Sequence, residues 1–479
     1  MSENERYESP LTSRYASPAM QRLWSANHRA HLWRRLWLAL AETQRDLGLA
    51  IPDAAIADMR AHLDDVNLKR VAEHERRLRH DVMAHIHAFG DDAPAARPFI
   101  HLGATSAFVT DNAELIVMRS AMTLLLGRLV AVLRALARHA RAHRSLPAVA
   151  YTHFQPAQLT TVGKRMTLWI QDLAMDAAAL HDAIRTLPFR GCKGTTGTQA
   201  SFLELFEGNH KKVRELDVRV TQHFSFAAPV PVSGQTYTRK IDSRVLDLLS
   251  GIGQSAAKFG TDLRLLQHEG EVLEPAESEQ VGSSAMPYKR NPMRAERICG
   301  LARYVIGLRE QTAYTAATQW LERTLDDSAN RRLVLPDAFL AADAVLILAT
   351  NVAAGLEVRA TTVRRNVDRV MPFTATERWL MLGVKAGGDR QKLHEVIRVH
   401  ARAVADATER GEPNNLLERL SADAGFAGVD AKQLRAELDP ARYVGRAPEQ
   451  VDEYLAEVLE PLLDTLKTYD VADKAEVAV

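Results

Sequence analysis

The chain has 479 residues, which suggests about three domains. Its apolar fraction of 46% and charged fraction of 25% are those of an ordinary globular protein. Lys and Arg (61) nearly cancel Asp and Glu (60), which gives no reason to expect a nucleic-acid or membrane-surface partner, though local basic spots can still bind a small anion.

Two cysteines, Cys192 and Cys299, make neither a disulfide framework nor a zinc set, and they fit a reducing compartment. The polar start, Met1-Ser-Glu-Asn-Glu-Arg, has no apolar signal region. Apolar stretches are broken by charge before the roughly 18 residues that a bilayer span needs. A cytoplasmic protein is expected.

Shorter helices are expected up to Thr110, with a Pro/Gly/Asp linker from Gly90 to Pro98. The spacing then predicts a long helix from Asp111 to Ser145. Asp111 and Glu114 read as its capping box. Leu115, Met118, Met122, Leu125, Leu129, Val132 and Leu136 form a seam of alternating threes and fours, and Pro147 lies beyond its end. A second helix is expected from Leu159 to Leu187, a third from Ile241 to Leu266, a fourth after Pro292, and a fifth through Phe339, Val345 and Val352. At roughly 30 residues each would be about 45 Å long, and such long apolar helices suggest a bundle extended by other subunits. Beyond Thr362 lies a mixed helical region with turn signals at Gly387-Gly388 and Gly411-Glu412-Pro413. No run of alternating β-branched residues is long enough for a sheet. The expected fold is all-α, with domains at 1–110, 111–362 and 363–479.

Three segments carry chemistry. Gly282-Ser283-Ser284-Ala285-Met286-Pro287-Tyr288-Lys289-Arg290-Asn291-Pro292 reads as a loop. It offers hydroxyls, cations and the N-terminus of the next helix, a set suited to an anion. Taken by composition, it is equally a basic surface turn. Tyr151-Thr152-His153-Phe154-Gln155-Pro156 places a histidine, which titrates near neutrality, between two long helices. A lone histidine among 17 is ordinarily a solvated one. Arg79-His80-Asp81 reads most simply as a charged helix face. His139 and His143 have metal spacing, but neither has a Cys or carboxylate near it in sequence. Gly191-Cys192-Lys193-Gly194 lacks the Walker ending, and Gly251-Ile252-Gly253 lacks the third Rossmann glycine.

The first segment resembles the hallmark loop of the fumarase/aspartase superfamily, Gly-Ser-x-x-Met-Pro-x-Lys-x-Asn, at every fixed position. Its Tyr288-Lys289-Arg290 form is similar to that of members acting on succinylated purine ribotides. The resemblance extends through motifs from residue 13 to 332. It implies β-elimination of fumarate with Ser283 as general base (Ser284 the alternative), His153 as general acid (His80 the alternative), and Lys289 with the following helix stabilising the anions. It implies substrate contacts from Arg14, Tyr15, Arg79, His80, Asp81, Thr105, Ser106, Gln235, Asn291, Arg297, Arg323, Ser328 and Arg332. Of these, Arg14, Arg323 and Arg332 suit a phosphate through their planar forks. The partners implied are small-molecule nucleotides and other copies of the chain, in a homotetramer whose sites are shared. No metal or other cofactor is implied.

Overall fold

The computed structural model describes residues 7–277 and 285–469. An N-terminal group comprises α1 (Pro18–Leu23), α2 (Ala26–Asp46), α3 (Asp53–Ala61), α4 (Leu68–Leu78) and α5 (Asp81–Asp92). Then comes α6 (Ser106–Ala142), followed by strands β1 (Pro147–Thr152) and β2 (Gln155–Thr161) and by α7 (Val162–Thr186). Two short helices, α8 (Ala200–Leu205) and α9 (His210–His223), precede α10 (Lys240–His268) and strand β3 (Val272–Leu273). The bundle is completed by α11 (Met293–Ala317) and α12 (Asp326–Ala354). Strand β4 (Glu357–Val358), α13 (Ala360–Thr374) and shorter helices follow, ending at Tyr469.

The five long helices pack in a ring: α7 on α6, α6 on α12, α12 on α11, α11 on α10, and α10 back on α7. The apolar seam expected from the sequence is the packed face of α6, where Leu115, Met118, Met122, Leu125, Leu129, Val132 and Leu136 are fully buried. α12 is buried along most of its length, from Val334 to Ala353. A second apolar cluster, centred on Trp379, Leu393, Leu416 and Phe426, lies in the region after α12.

Several expectations need correction. α6 begins at Ser106, five residues early, and its N-cap Thr105 makes no side-chain capping bond. Asp111 is instead buried within the helix, where it accepts from Tyr237 N (3.0 Å) and pairs with Arg239 (3.1 Å). A partner more than a hundred residues away cannot be read from a local pattern. The expected boundaries after residues 110 and 362 fall just inside α6 and α13.

The fold also contains sheet. β1 and β2 form an antiparallel ribbon, β3 pairs with β4, and Leu159 lies on β2 rather than opening α7. Finally, α6 and α12 are long and apolar enough to cross a membrane. Yet 67% and 78% of their most apolar windows are buried within the chain itself, so their hydropathy reflects core position.

Candidate active site

One group of candidate residues gathers at the end of the bundle where α6, α10 and α12 begin. Arg79 is no helix-face residue. It ends α4 in the left-handed conformation (φ 56°), its N–H donating to Glu75 O at 2.8 Å. His80 then caps α5 by accepting from Met83 N at 3.3 Å. Asp81 receives Arg332 of α12 at 3.0 Å, so the corner between two short helices is tied to the bundle. Thr105 and Ser106 open α6, and the N-terminus of this 37-residue helix, which the Thr105 side chain does not cap, suits an anion.

Gln235 is held by its N–H on Glu322 O (3.0 Å), its Nε2 on Thr195 O (3.1 Å), and Arg190 Nε on its carbonyl (2.9 Å). The neighbouring Gly234 is obligatory, since a Cβ there would lie 2.5 Å from Glu322 O. Arg323 meets both oxygens of Asp327 at 3.0 Å, while Arg239 holds Asp327 from behind at 2.7 Å. Ser328 follows in the first turn of α12, half-buried. Arg14 and Tyr15 lie on a π-helical turn, Leu11–Tyr15, that packs against α12; just after it, Ser17 N donates to Asp343, well along that helix, at 2.8 Å.

Beneath this surface lies a buried charge network. Arg331 pairs with Asp242 (2.7 Å) and Glu114, and its Nη2 donates to Tyr237 Oη (2.6 Å). Burial alone would raise the Asp111 pKa, but Arg239, Arg331 and Arg190 together hold it below its ordinary value. Burial prevails at Glu114, whose pKa is raised.

His101 was missed by the sequence reading. It adopts φ 70°, and its Nδ1 accepts from Trp37 Nε1 at 2.8 Å, so the ring proton sits on Nε2. Burial, aided by the neighbouring His80, pushes its pKa down to about 4, which keeps it neutral. Its place two residues before the Gly103-Ala104-Thr105-Ser106 motif was the available signal.

The second group lies at the opposite end of the bundle. His153 and Phe154 are the two turn residues of the β1–β2 hairpin, with φ of 52° and 55°. A tight turn with both residues left-handed matches the twist of the strands, but it favours Asn and Gly; side chains there cost about 1–3 kcal/mol each. Both side chains are exposed, and Phe154 is 52% accessible. Lys289 is also exposed, on a turn closed by its N–H to Met286 O (3.0 Å). Asn291 and Arg297 follow, half-buried. Ser283 and Ser284 lie outside the described residues.

At the N-terminus of α11, two of the first-turn N–H groups are already engaged. The Glu274 carboxylate accepts from Arg294 N (3.0 Å) and Ala295 N (2.9 Å) and so occupies the helix end expected to stabilise the serine anion. Among the described residues no cluster of three or more His, Cys, Asp or Glu is placed to hold a metal.

α10 measures the separation of the two groups. Near its start Arg239 holds Asp327, the partner of Arg323; near its end Gln267 Nε2 donates to Arg290 O (2.9 Å), beside Lys289. The intervening residues of one straight helix span about 40 Å. His153 and Lys289 in one chain therefore cannot meet that chain's own Arg323, Arg332 or Thr105 around one small substrate.

The long-helix bundle thus carries its candidate polar residues in two groups, one at each end. Residues 18–307 match the family described as lyase, and residues 372–454 match the adenylosuccinate lyase C-terminus. Over its length the chain is similar to the 3-carboxy-cis,cis-muconate lactonizing enzyme of Pseudomonas putida, with a TM-score of 0.80, 25% identity, and coverage of 96% of this chain and 99% of that one. It is 47% identical to adenylosuccinate lyase of Saccharomyces cerevisiae, covering 98% of each chain. It is likewise 47% identical to that of Schizosaccharomyces pombe, covering 99% of each. The chain belongs to the adenylosuccinate lyase family.

Proposed function

We propose that the chain is a carbon–nitrogen lyase that releases fumarate by β-elimination from adenylosuccinate, giving AMP, and from the succinylated aminoimidazole carboxamide ribotide, giving the free carboxamide ribotide. The observation that carries this reading is 47% identity to adenylosuccinate lyases over nearly the whole chain.

The reaction removes a weakly acidic proton from the carbon beside a carboxylate and protonates the departing nitrogen. Ser283 takes the first proton. An ordinary hydroxyl is too weak for this, so the surrounding loop and Lys289 must favour its anion. With α11 already capped by Glu274, Lys289 and loop amides carry that burden. His153 supplies the second proton. Arg14, Arg323 and Arg332 bind the phosphate, and the open N-terminus of α6 at Thr105 and Ser106 receives a succinyl carboxylate. Arg79, His80, Asp81, Tyr15, Gln235, Asn291, Arg297 and Ser328 shape the remaining pocket. No step calls for a cofactor.

The two ends come together only between chains. A homotetramer in which the bundles merge, each site drawing on several subunits, satisfies the separation of about 40 Å along α10. Exposed apolar side chains on the bundle agree with such contacts, among them Met175 on α7 and Leu333 on α12. The region after residue 362 is taken as a C-terminal domain, whose apolar cluster is shared with Val149 and Leu159 of the hairpin. A reducing, cytoplasmic setting suits Cys192 and Cys299, both free thiols.

The test is direct. Purified protein is mixed with adenylosuccinate, the ultraviolet change is followed, and products are separated by chromatography. Equimolar fumarate and AMP are expected; AMP binding without turnover would reject catalysis.

A further inference from the structure

The hairpin that carries His153 packs against α7 and α13, and near its tip one polar contact holds it at a break in its ladder. β1 and β2 lose register between Val149 and Tyr151, and beyond that break the chain enters the left-handed turn at His153. A bulged ribbon ending in two side-chain-bearing left-handed residues does not hold one geometry by its ladder alone. At the break, Arg165 of α7 donates from Nη2 to Val149 O. The second terminal nitrogen, Nη1, lies 3.5 Å from Glu271 Oε2, a buried ion pair without hydrogen-bond geometry.

Glu271 is itself fixed from several directions. It is fully buried, its Oε1 accepts from Asn366 Nδ2 of α13 at 3.0 Å, and its carbonyl accepts from Arg359 N at 2.8 Å. α13 also packs on β1. Tyr151, two residues before His153, sets its ring 6.0 Å from the Arg165 guanidinium. Thus α7, the end of α10 and α13 converge on the strand just before the turn.

We infer that Arg165 and Glu271 form a clamp that fixes the position of His153, and that both are positioning residues for its proton transfer. Arg165 holds the backbone, and Glu271 aims and neutralises Arg165. Neither side chain is among the candidate substrate contacts. The inference rests on the reading of His153 as general acid.

The test uses the assembled full-length enzyme and a double-mutant cycle. Arg165→Met, Glu271→Gln and His153→Asn are made singly, and each clamp variant is combined with His153→Asn. Each clamp variant alone should lower kcat about tenfold or more while KM stays within about threefold. With His153 already replaced, the clamp substitutions should change kcat by less than about twofold, because they act through that residue. Multiplying losses in the double variants would overturn the inference. So would near-normal kcat in both clamp variants beside a crippled His153→Asn enzyme. If His153→Asn itself retained more than about a tenth of kcat, the assignment of the acid would fail, and the clamp's role with it. Should Arg165→Met not assemble, the near-isosteric Glu271→Gln carries the cycle. Faster amide exchange confined to residues 149–155 in that variant is then the second expected result, and unchanged exchange there would count against the clamp.

Discussion

Two residues illustrate how placement, more than residue type, sets what a side chain does. His153 stands at a turn that Asn would tolerate better, so its presence there costs stability that only function returns. His153→Asn should preserve the turn and the assembly yet lower kcat by about 10² to 10⁴, as measured by the ultraviolet assay beside a sizing column. Asp176 on α7 is the converse, a carboxylate kept in place by packing. Burial pushes its pKa up to about 6; the Ser255 hydroxyl at 2.6 Å opposes this and Asp172 adds to it. A folded pKa above the unfolded one means that the contribution is fully present below about pH 4 and is lost as pH rises through about 6. Asp176→Asn escapes that loss. It should be roughly 1–2 kcal/mol more stable than the parent at pH 7, with the difference shrinking towards pH 4. Denaturant titrations across that range check both the sign and the window.

At the scale of elements, the long helices were legible because their apolar seams are local and periodic, and those seams are the buried faces of α6, α7, α10, α11 and α12. The hairpin was not legible. Its strands are short, and its His153-Phe154 turn lacks the Asn-Gly signature of the geometry it adopts. Distant partners were equally hidden. Asp111 resembled a cap and is a buried counterion of Arg239; Glu274 attracted no notice and is the cap of α11. The motifs located the candidate site residues, but not which of them share an end of the bundle. The α11 cap makes its own prediction. Glu274→Ala leaves two buried N–H groups without their acceptor and should cost about 1–3 kcal/mol, seen as a lowered unfolding midpoint. The Lys289 turn, whose chain enters that helix, should loosen with it, and kcat should fall more than the unfolding shift alone would require.

For the whole molecule, the decisive quantity is the length of α10. It places Arg323 and Arg332 at one end and His153 and Lys289 at the other, about 40 Å apart. If each site takes its phosphate-binding arginines from one chain and its acid from another, two inactive proteins can repair each other. Arg323→Met removes an end-one contribution from every site, and His153→Asn removes an end-two contribution. Mixed assemblies formed by unfolding and refolding the two variants together would contain sites in which both contributions are intact. With random equal mixing, about one quarter of the sites should be of that kind, because each of the two contributions is intact with even odds. Activity should therefore rise from near zero to about a quarter of the parent enzyme after co-refolding, and should stay near zero when the variants are refolded apart and then combined. No recovery, with subunit exchange demonstrated by mass-tagged chains, would mean that the two ends serve separate purposes and that a single chain must complete its site by some other set of residues.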